Sequence, residues 1–307
     1  MGGKKQFFKN FVFLYVSFLK GLISLSITPQ SIVHPIPILA IVVFSLSGQF
    51  DLILLFKAVV LSFLFQSGVN LWNHVNDVKE DTFSGRKNML TEREETRKII
   101  LILSLALYVT SFLLFTLWIV DNRGIIAFAA ATSATWIYSD RMILGRKIRR
   151  WKDHYVTEVL AYIIAVPSFT SGLWSLFAPL SARTLVLSII ITLFMLSGVF
   201  LKDIKDITGD RLAGLKTLGV VFSPETLLKI ALTLLGFYYL FVIIISFFGL
   251  LPRLSLVSAL LSAGLIYALK HFMNNDWSIT RESVKPVKVM VYSGIASLLI
   301  IAITAFI

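Results

Sequence analysis

Long apolar runs dominate this chain and leave it few ways to fold. Nine segments are each near the ~20 apolar residues that cross a hydrocarbon layer. They lie at 30–49, 52–76, 98–120, 124–141, 155–176, 182–202, 226–250, 253–272 and 286–306. In lipid only a helix satisfies every backbone N–H and C=O within its own segment. The pattern therefore predicts an all-α, polytopic membrane protein of about nine transmembrane helices. Pro and polar residues interrupt several runs, which packed neighbouring helices tolerate. Charged residues make up 15% of the chain, against about 25% in soluble domains.

The charge pattern sets the expected topology. Long basic loops at 77–98, 141–154, 202–225 and 270–288 alternate with short ones at Gln49–Asp51, Asp121–Arg123, Pro179–Arg183 and Leu250–Arg253. On or near the short-loop side the only basic residues are Lys57, Arg123, Arg183 and Arg253. The positive-inside rule places the N-terminus and the long loops in the cytoplasm of a multi-pass cell-membrane protein, with Ile307 outside. Residues 1–29 read as an interfacial amphipathic segment, with Lys4, Lys5 and Lys9 among Phe7, Phe8, Phe11 and Phe13. Residues 30–307 form one transmembrane domain. The net charge of +12 is accounted for by topology, anionic membrane lipid and an anionic substrate; it does not call for nucleic acid. There is no cysteine, which excludes disulfides and thiolate metal sites. The four His residues lie far apart in sequence.

Carboxylates are scarce, and two groups of them recur in the same place. N-L-W-N-H-V-N-D-V-K-E-D ends the second run and carries Asn73, Asp77 and Asp81 at i, i+4 and i+8. On a helix these stack along one face, over about 12 Å. L-K-D-I-K-D-I-T-G-D-R ends the sixth run and carries Asp203, Asp206 and Asp210. Both clusters open a long basic loop after an even-numbered run, at the same offset from one another, which suggests two related four-helix halves. A single such array is often no more than a solvated helix end. Two matched arrays at the membrane edge repel internally and cost desolvation. A divalent cation offsets both, and hard oxygen ligands beside a phosphorylated substrate suit Mg²⁺.

N-x-x-x-D-x-x-x-D at Asn73, Asp77 and Asp81, and D-x-x-D-x-x-x-D with the trailing G-D-R-x-x-G-x-x-T-L at Asp203, Asp206 and Asp210, resemble the UbiA superfamily of intramembrane prenyltransferases. The resemblance implies nine helices around a central cavity that is capped on the cytoplasmic side and open laterally to lipid. It implies Mg²⁺-dependent transfer from a prenyl diphosphate donor to a hydrophobic or aromatic acceptor, with a quinone precursor favoured. By the same resemblance Asn73, Asp77, Asp81, Asp206 and Asp210 hold the metal. Lys202, Lys216, Arg86, Lys147 and Arg141 are candidate diphosphate ligands, and Tyr138 steadies a cation or bonds phosphate. Asp203 either ligates or orients Lys202. The family's Tyr and Lys after the fourth helix are usually closer together, with prolines between; here the segment reads Y-S-D-R-M-I-L-G-R-K, so Arg141 and Arg146 compete with Lys147. Glu158, inside the fifth run, is a candidate for the acceptor or for a basic partner. His74 is turned about 100° from Asn73 on an ideal helix and reads as structural. The competing functions are a cation-coupled secondary transporter and a prenyl diphosphate phosphatase. Transporter sites usually lie near the bilayer midplane, however, whereas these clusters lie at helix ends.

Overall fold

A computed structural model describes residues 16–27, 37–92 and 94–307, apart from the side chain of Arg146. The N-terminal residues 1–15 and the start of the first predicted span, 30–36, lie outside the described residues. Ten principal helices are present among those described: α1 (Val16–Ser26), α2 (Pro37–Ser47), α3 (Leu52–Asn76), α4 (Glu94–Trp118), α5 (Arg123–Ser139), α6 (Tyr155–Trp174), α7 (Ala182–Leu212), α8 (Pro224–Phe247), α9 (Ala263–Asn274, preceded by a 3₁₀ stretch Arg253–Ser262) and α10 (Val284–Thr304).

Seven of the nine predicted spans coincide with helices long and apolar enough to cross a bilayer: α3, α4, α6, α7, α8, the Arg253–Asn274 stretch that ends in α9, and α10 with its 3₁₀ lead-in. Helix α5 has 17 residues, the lower end of the spanning range. The described part of α2 has 11. Among the described residues seven spans are therefore clear, and the expected count of nine is not confirmed. α7 also outruns its prediction. It continues for 31 residues through the second acidic cluster, because nothing between Lys202 and Leu212 breaks a helix.

Successive helices pack side by side around a ring. α3 meets α4 and α5, α5 meets α6, α6 meets α7, α7 meets α8, and α10 closes the ring by packing on α2. α1 lies against the ends of α3 and α4 through Phe18, Leu22 and Leu25, which contact a cluster with Leu71, Val75, Leu90 and Ile100. Most apolar faces of the spans point outward, with Leu117, Ile126, Leu212 and Phe247 among the exposed side chains, as expected of helices solvated by lipid.

Two features bring the acidic clusters together. α3 ends at Asp77, and a short helix, Val78–Phe83, follows almost without a break. Asp77 N–H still donates to Asn73 O and Asp81 N–H to Asp77 O, both at 2.9 Å, so the predicted ladder survives a change of direction. Gly209 then allows that short helix to lie directly on α7. A Cβ at this position would stand 1.9 Å from Ser84 Oγ. Glycine inside a helix costs about 1 kcal/mol relative to alanine, and here the close approach is what that cost makes possible.

Candidate active site

A cavity of about 310 Å³ opens between α3, α5, α6 and α7, at the small end of the usual range for ligand sites. Asn73, Asp77 and Asp81 line it from the first cluster and Asp206 from the second, together with Tyr138, Lys202 and Arg86. Carboxylates more than a hundred residues apart in sequence thus share one chamber. Arg86 spans the gap: it donates to Asp81 at 3.2 Å and also bonds Asp206. Asn88 adds a bond to Asp81 at 3.2 Å, and His74 Nδ1 lies 3.5 Å from the same carboxylate.

Asp77 is held from the other side. Arg150 Nη1 donates to its Oδ1 at 2.6 Å, and Lys152 bonds its Oδ2. Burial pushes the Asp77 carboxyl up, but Lys152 and Arg150 outweigh it and hold the group well below the usual carboxylate range. Arg150 has a side chain with no solvent exposure. It also pairs with Glu80 and Asp153, while Arg141 bonds Glu80 through Nη1 at 3.1 Å. Burial alone lowers the pKa of Arg150; Asp77, Asp153 and Glu80 more than compensate and raise it above the ordinary arginine value. The connection between α5 and α6 is therefore fastened to the first acidic helix by a buried network of charges.

Several candidates are not among the residues that line the chamber. Asp210 is buried and accepts from Thr217 Oγ1 at 2.8 Å. Asp203 is buried with one carboxylate oxygen lacking a hydrogen bond. Lys147 and Lys216 have exposed side chains. The backbone of Lys216 nevertheless pins the loop before α6, donating to Asp153 O at 3.1 Å and accepting from Tyr155 N–H at 2.8 Å. Arg141 faces Glu80 rather than the cavity. Tyr138 keeps its ring on the cavity wall while its hydroxyl donates to Glu158 Oε1 at 3.2 Å; Glu158 Oε2 accepts from Leu218 N–H at 3.4 Å. Among the described residues no three acidic or imidazole groups converge on a single point.

Sequence reasoning missed Arg150, Lys152 and Glu80. Arg150 and Lys152 belong to a basic loop whose charges all serve equally well as positive-inside residues. Only the fold shows that Arg150 is buried and that Lys152 reaches the chamber. His74 lines the cavity because the chamber wraps around the end of α3.

A ring of helices, most of them long and apolar enough to span a membrane, encloses paired carboxylates and cations beside an apolar chamber, and defines an integral membrane protein. The sequence profile of the UbiA prenyltransferase family matches residues 35–303, and the chain belongs to that family; it is a prenyltransferase. An uncharacterized protein of Archaeoglobus fulgidus is 35% identical over 286 residues, covering 92% of this chain and 97% of its own. Solved structures share the fold. A UbiA homolog from Archaeoglobus fulgidus bound to GPP and Mg²⁺ superposes with a TM-score of 0.59 at 16% identity, over 89% of this chain and 98% of its own. An apo UbiA homolog from Aeropyrum pernix K1 gives 0.61 at 15% identity, over 88% and 95%. A digeranylgeranylglyceryl phosphate synthase gives 0.59 at 16% identity, over 94% and 98%.

Proposed function

We propose that this chain transfers a prenyl group from a prenyl diphosphate to an acceptor within the membrane, using Mg²⁺ at its two acidic clusters. The observation that carries this reading is the single chamber shared by Asn73, Asp77, Asp81 and Asp206, with Arg86, Lys152 and Lys202 on its walls. These are hard oxygen donors. Mg²⁺ is usually held by one or two carboxylates plus substrate phosphates rather than by a closed protein cage. When bound, Mg²⁺ supplies charge neutralisation on the diphosphate oxygens.

The chain's own residues do the rest. Arg86, Lys152 and Lys202 take up the remaining phosphate charge. The C–O bond of the donor breaks and its electron pair leaves with the diphosphate, a step favoured by every cation fixed around that group. Tyr138, on the cavity wall, offers its ring to the cationic prenyl fragment. The apolar walls exclude water until the acceptor attacks. Asp210, by its bond to Thr217, and Arg141, by its bond to Glu80, act by holding the elements that carry these groups.

The favoured acceptor is an aromatic quinone precursor. A lipid acceptor is the second reading, supported by the similarity to a digeranylgeranylglyceryl phosphate synthase. Arg86, Arg141, Arg150 and Lys152 gather at the end of the bundle that bears the carboxylates, which supports a cytoplasmic site. The N-terminus is then cytoplasmic and Ile307 is outside. The test is incubation of membranes containing the chain with labelled prenyl diphosphate, Mg²⁺ and a panel of aromatic and ether-lipid acceptors, with products read by mass spectrometry. A prenylated product supports transfer. Free diphosphate or phosphate alone indicates hydrolysis, and uptake without chemistry indicates transport. Because the chain has no cysteine, single cysteines at Lys87 and at Leu250 report sidedness by labelling in intact vesicles.

A further inference from the structure

Glu158 takes no part in the steps above, yet it is built into the wall of the site. It stands in the first turn of α6 and is 1% exposed. Both of its hydrogen-bond partners are neutral: the Tyr138 hydroxyl donates to Oε1 at 3.2 Å and Leu218 N–H to Oε2 at 3.4 Å. The charged groups that act on it are Asp203 and Lys202 of α7 and Lys152 of the loop before α6, and among the described residues no cation closes an ion pair with it. The carboxylates lining the chamber are placed differently. Asp77 is held by Arg150 and Lys152, and Asp81 and Asp206 by Arg86. A buried carboxylate with no cation on it sheds its charge by taking a proton.

Tyr138 connects this carboxylate to the chamber. Tyr138 and Tyr162 both line the cavity, and their rings meet edge-on at 5.7 Å between centroids. The next residue, Ser139, bonds Asn73 Oδ1, so the end of α5 lies beside the first acidic cluster. The hydroxyl–carboxylate pair therefore stands at the level where the donor's C–O bond breaks. Asp203 is buried with one oxygen lacking a hydrogen bond, but among the described residues no hydrogen bond joins it to the chamber wall.

Transfer to an acceptor releases a proton. As an oxygen or a ring carbon of the acceptor bonds the prenyl carbon, its own O–H or C–H bond breaks, and that electron pair stays with the acceptor. We propose that Tyr138 and Glu158 form the relay that takes this proton. The acceptor's proton passes to the Tyr138 oxygen, the Tyr138 proton passes to Glu158 Oε1, and the carboxylate becomes neutral. Tyr138 is the catalytic residue, and Glu158 acts through it. The inference rests on the transfer reading above and deepens it by assigning the base.

The test uses the full chain in lipid nanodiscs with Mg²⁺, labelled geranyl and geranylgeranyl diphosphates and the panel of aromatic and ether-lipid acceptors. Binding of the corresponding thiolodiphosphates is measured alongside. Glu158→Gln and Tyr138→Phe, which keeps the ring, each lower kcat by about a hundredfold, at the low end for a general base, while the Kd for the donor analogue stays within about twofold. The wild type's kcat rises with pH as Glu158 gives up its proton between turnovers, and Glu158→Gln loses that limb although Lys152, Lys202, Asp203 and Tyr162 are all retained. Glu158→Asp restores the limb and recovers at least about tenfold in kcat over the Gln variant. The double variant is no slower than either single one, as residues of one relay require. Tyr138→Phe and Glu158→Asp carry the test if Glu158→Gln fails to fold. A kcat within about threefold of the wild type in folded Glu158→Gln or Tyr138→Phe, or a pH profile that Glu158→Gln leaves unchanged, overturns the relay and gives the proton to the departing diphosphate. A wild-type chain that binds the donor analogues but prenylates no acceptor overturns the transfer reading, and the relay with it.

Discussion

Arg150 donates from Nη1 to Asp77 Oδ1 at 2.6 Å, and its side chain reaches no solvent. A residue of the loop before α6 is thereby locked onto the first acidic cluster. Removing one partner of a buried ion pair costs about 3–5 kcal/mol, because the other charge is left uncompensated. Arg150→Met removes the buried partner shared by Asp77, Glu80 and Asp153, leaving Asp77 to Lys152 and Glu80 to Arg141. The variant is expected to unfold at clearly lower temperature in detergent and to lose at least about a hundredfold in turnover, as misplaced catalytic groups do. Thermal unfolding and product formation, measured on one preparation, check both.

Asp206→Ala separates chemistry from stability. Asp206 pairs with Arg86, whose side chain is 51% exposed, so Arg86 keeps its contact with solvent when Asp206 is lost. The protein stays folded with a nearly unchanged melting temperature, and turnover falls by at least about a hundredfold, the scale for loss of an electrostatic stabiliser. Asp77→Ala loses turnover equally and is also destabilised, through Arg150. Full activity in either variant refutes the assignment of the two clusters to one site.

Arg86→Ala tests the bridge. Arg86 is half-exposed, and buried Asp81 keeps Asn88 and His74 beside it, so the melting temperature falls less than in Arg150→Met. Donor binding suffers more, since Arg86 lies on the chamber wall between Asp81 and Asp206. The KM for prenyl diphosphate rises by about tenfold or more, in the range of a charge-assisted hydrogen bond. An unchanged KM removes Arg86 from the diphosphate site.

Acid stability follows from Asp77. Its carboxyl is held below the ordinary value near 4 that it regains on unfolding. A group depressed in the folded state stabilises it above the unfolded pKa, and that contribution fades as pH falls from there through the folded value. At neutral pH the contribution is fully present, and it declines below about pH 4. Asp77→Asn abolishes this term: its melting temperature falls less steeply than the wild type's between neutral pH and pH 3. Parallel curves for the two proteins contradict the pairing.

The helices and the two acidic clusters were legible in the linear chain. Runs such as 52–76 and 182–202 announce spans because lipid leaves a backbone no alternative to the helix, and the i, i+4 spacing of Asn73, Asp77 and Asp81 is a local property of that helix. The equal placement of the two clusters was likewise a matter of counting. What each basic residue does was not legible. Lys147 and Lys152 stand five positions apart in one loop, yet one is exposed and the other bonds Asp77. Loop direction there depends on Arg150 finding Glu80 and Asp153, and on the backbone of Lys216 from a distant segment. Packing also decided the rest of the site: Gly209 lets the short helix after Asp77 lie against α7, and Tyr138 of α5 meets Glu158 of α6. Periodicity reports which face of a helix is apolar, but contacts across a hundred residues depend on the tilt and spacing of neighbours, which only the assembled ring determines.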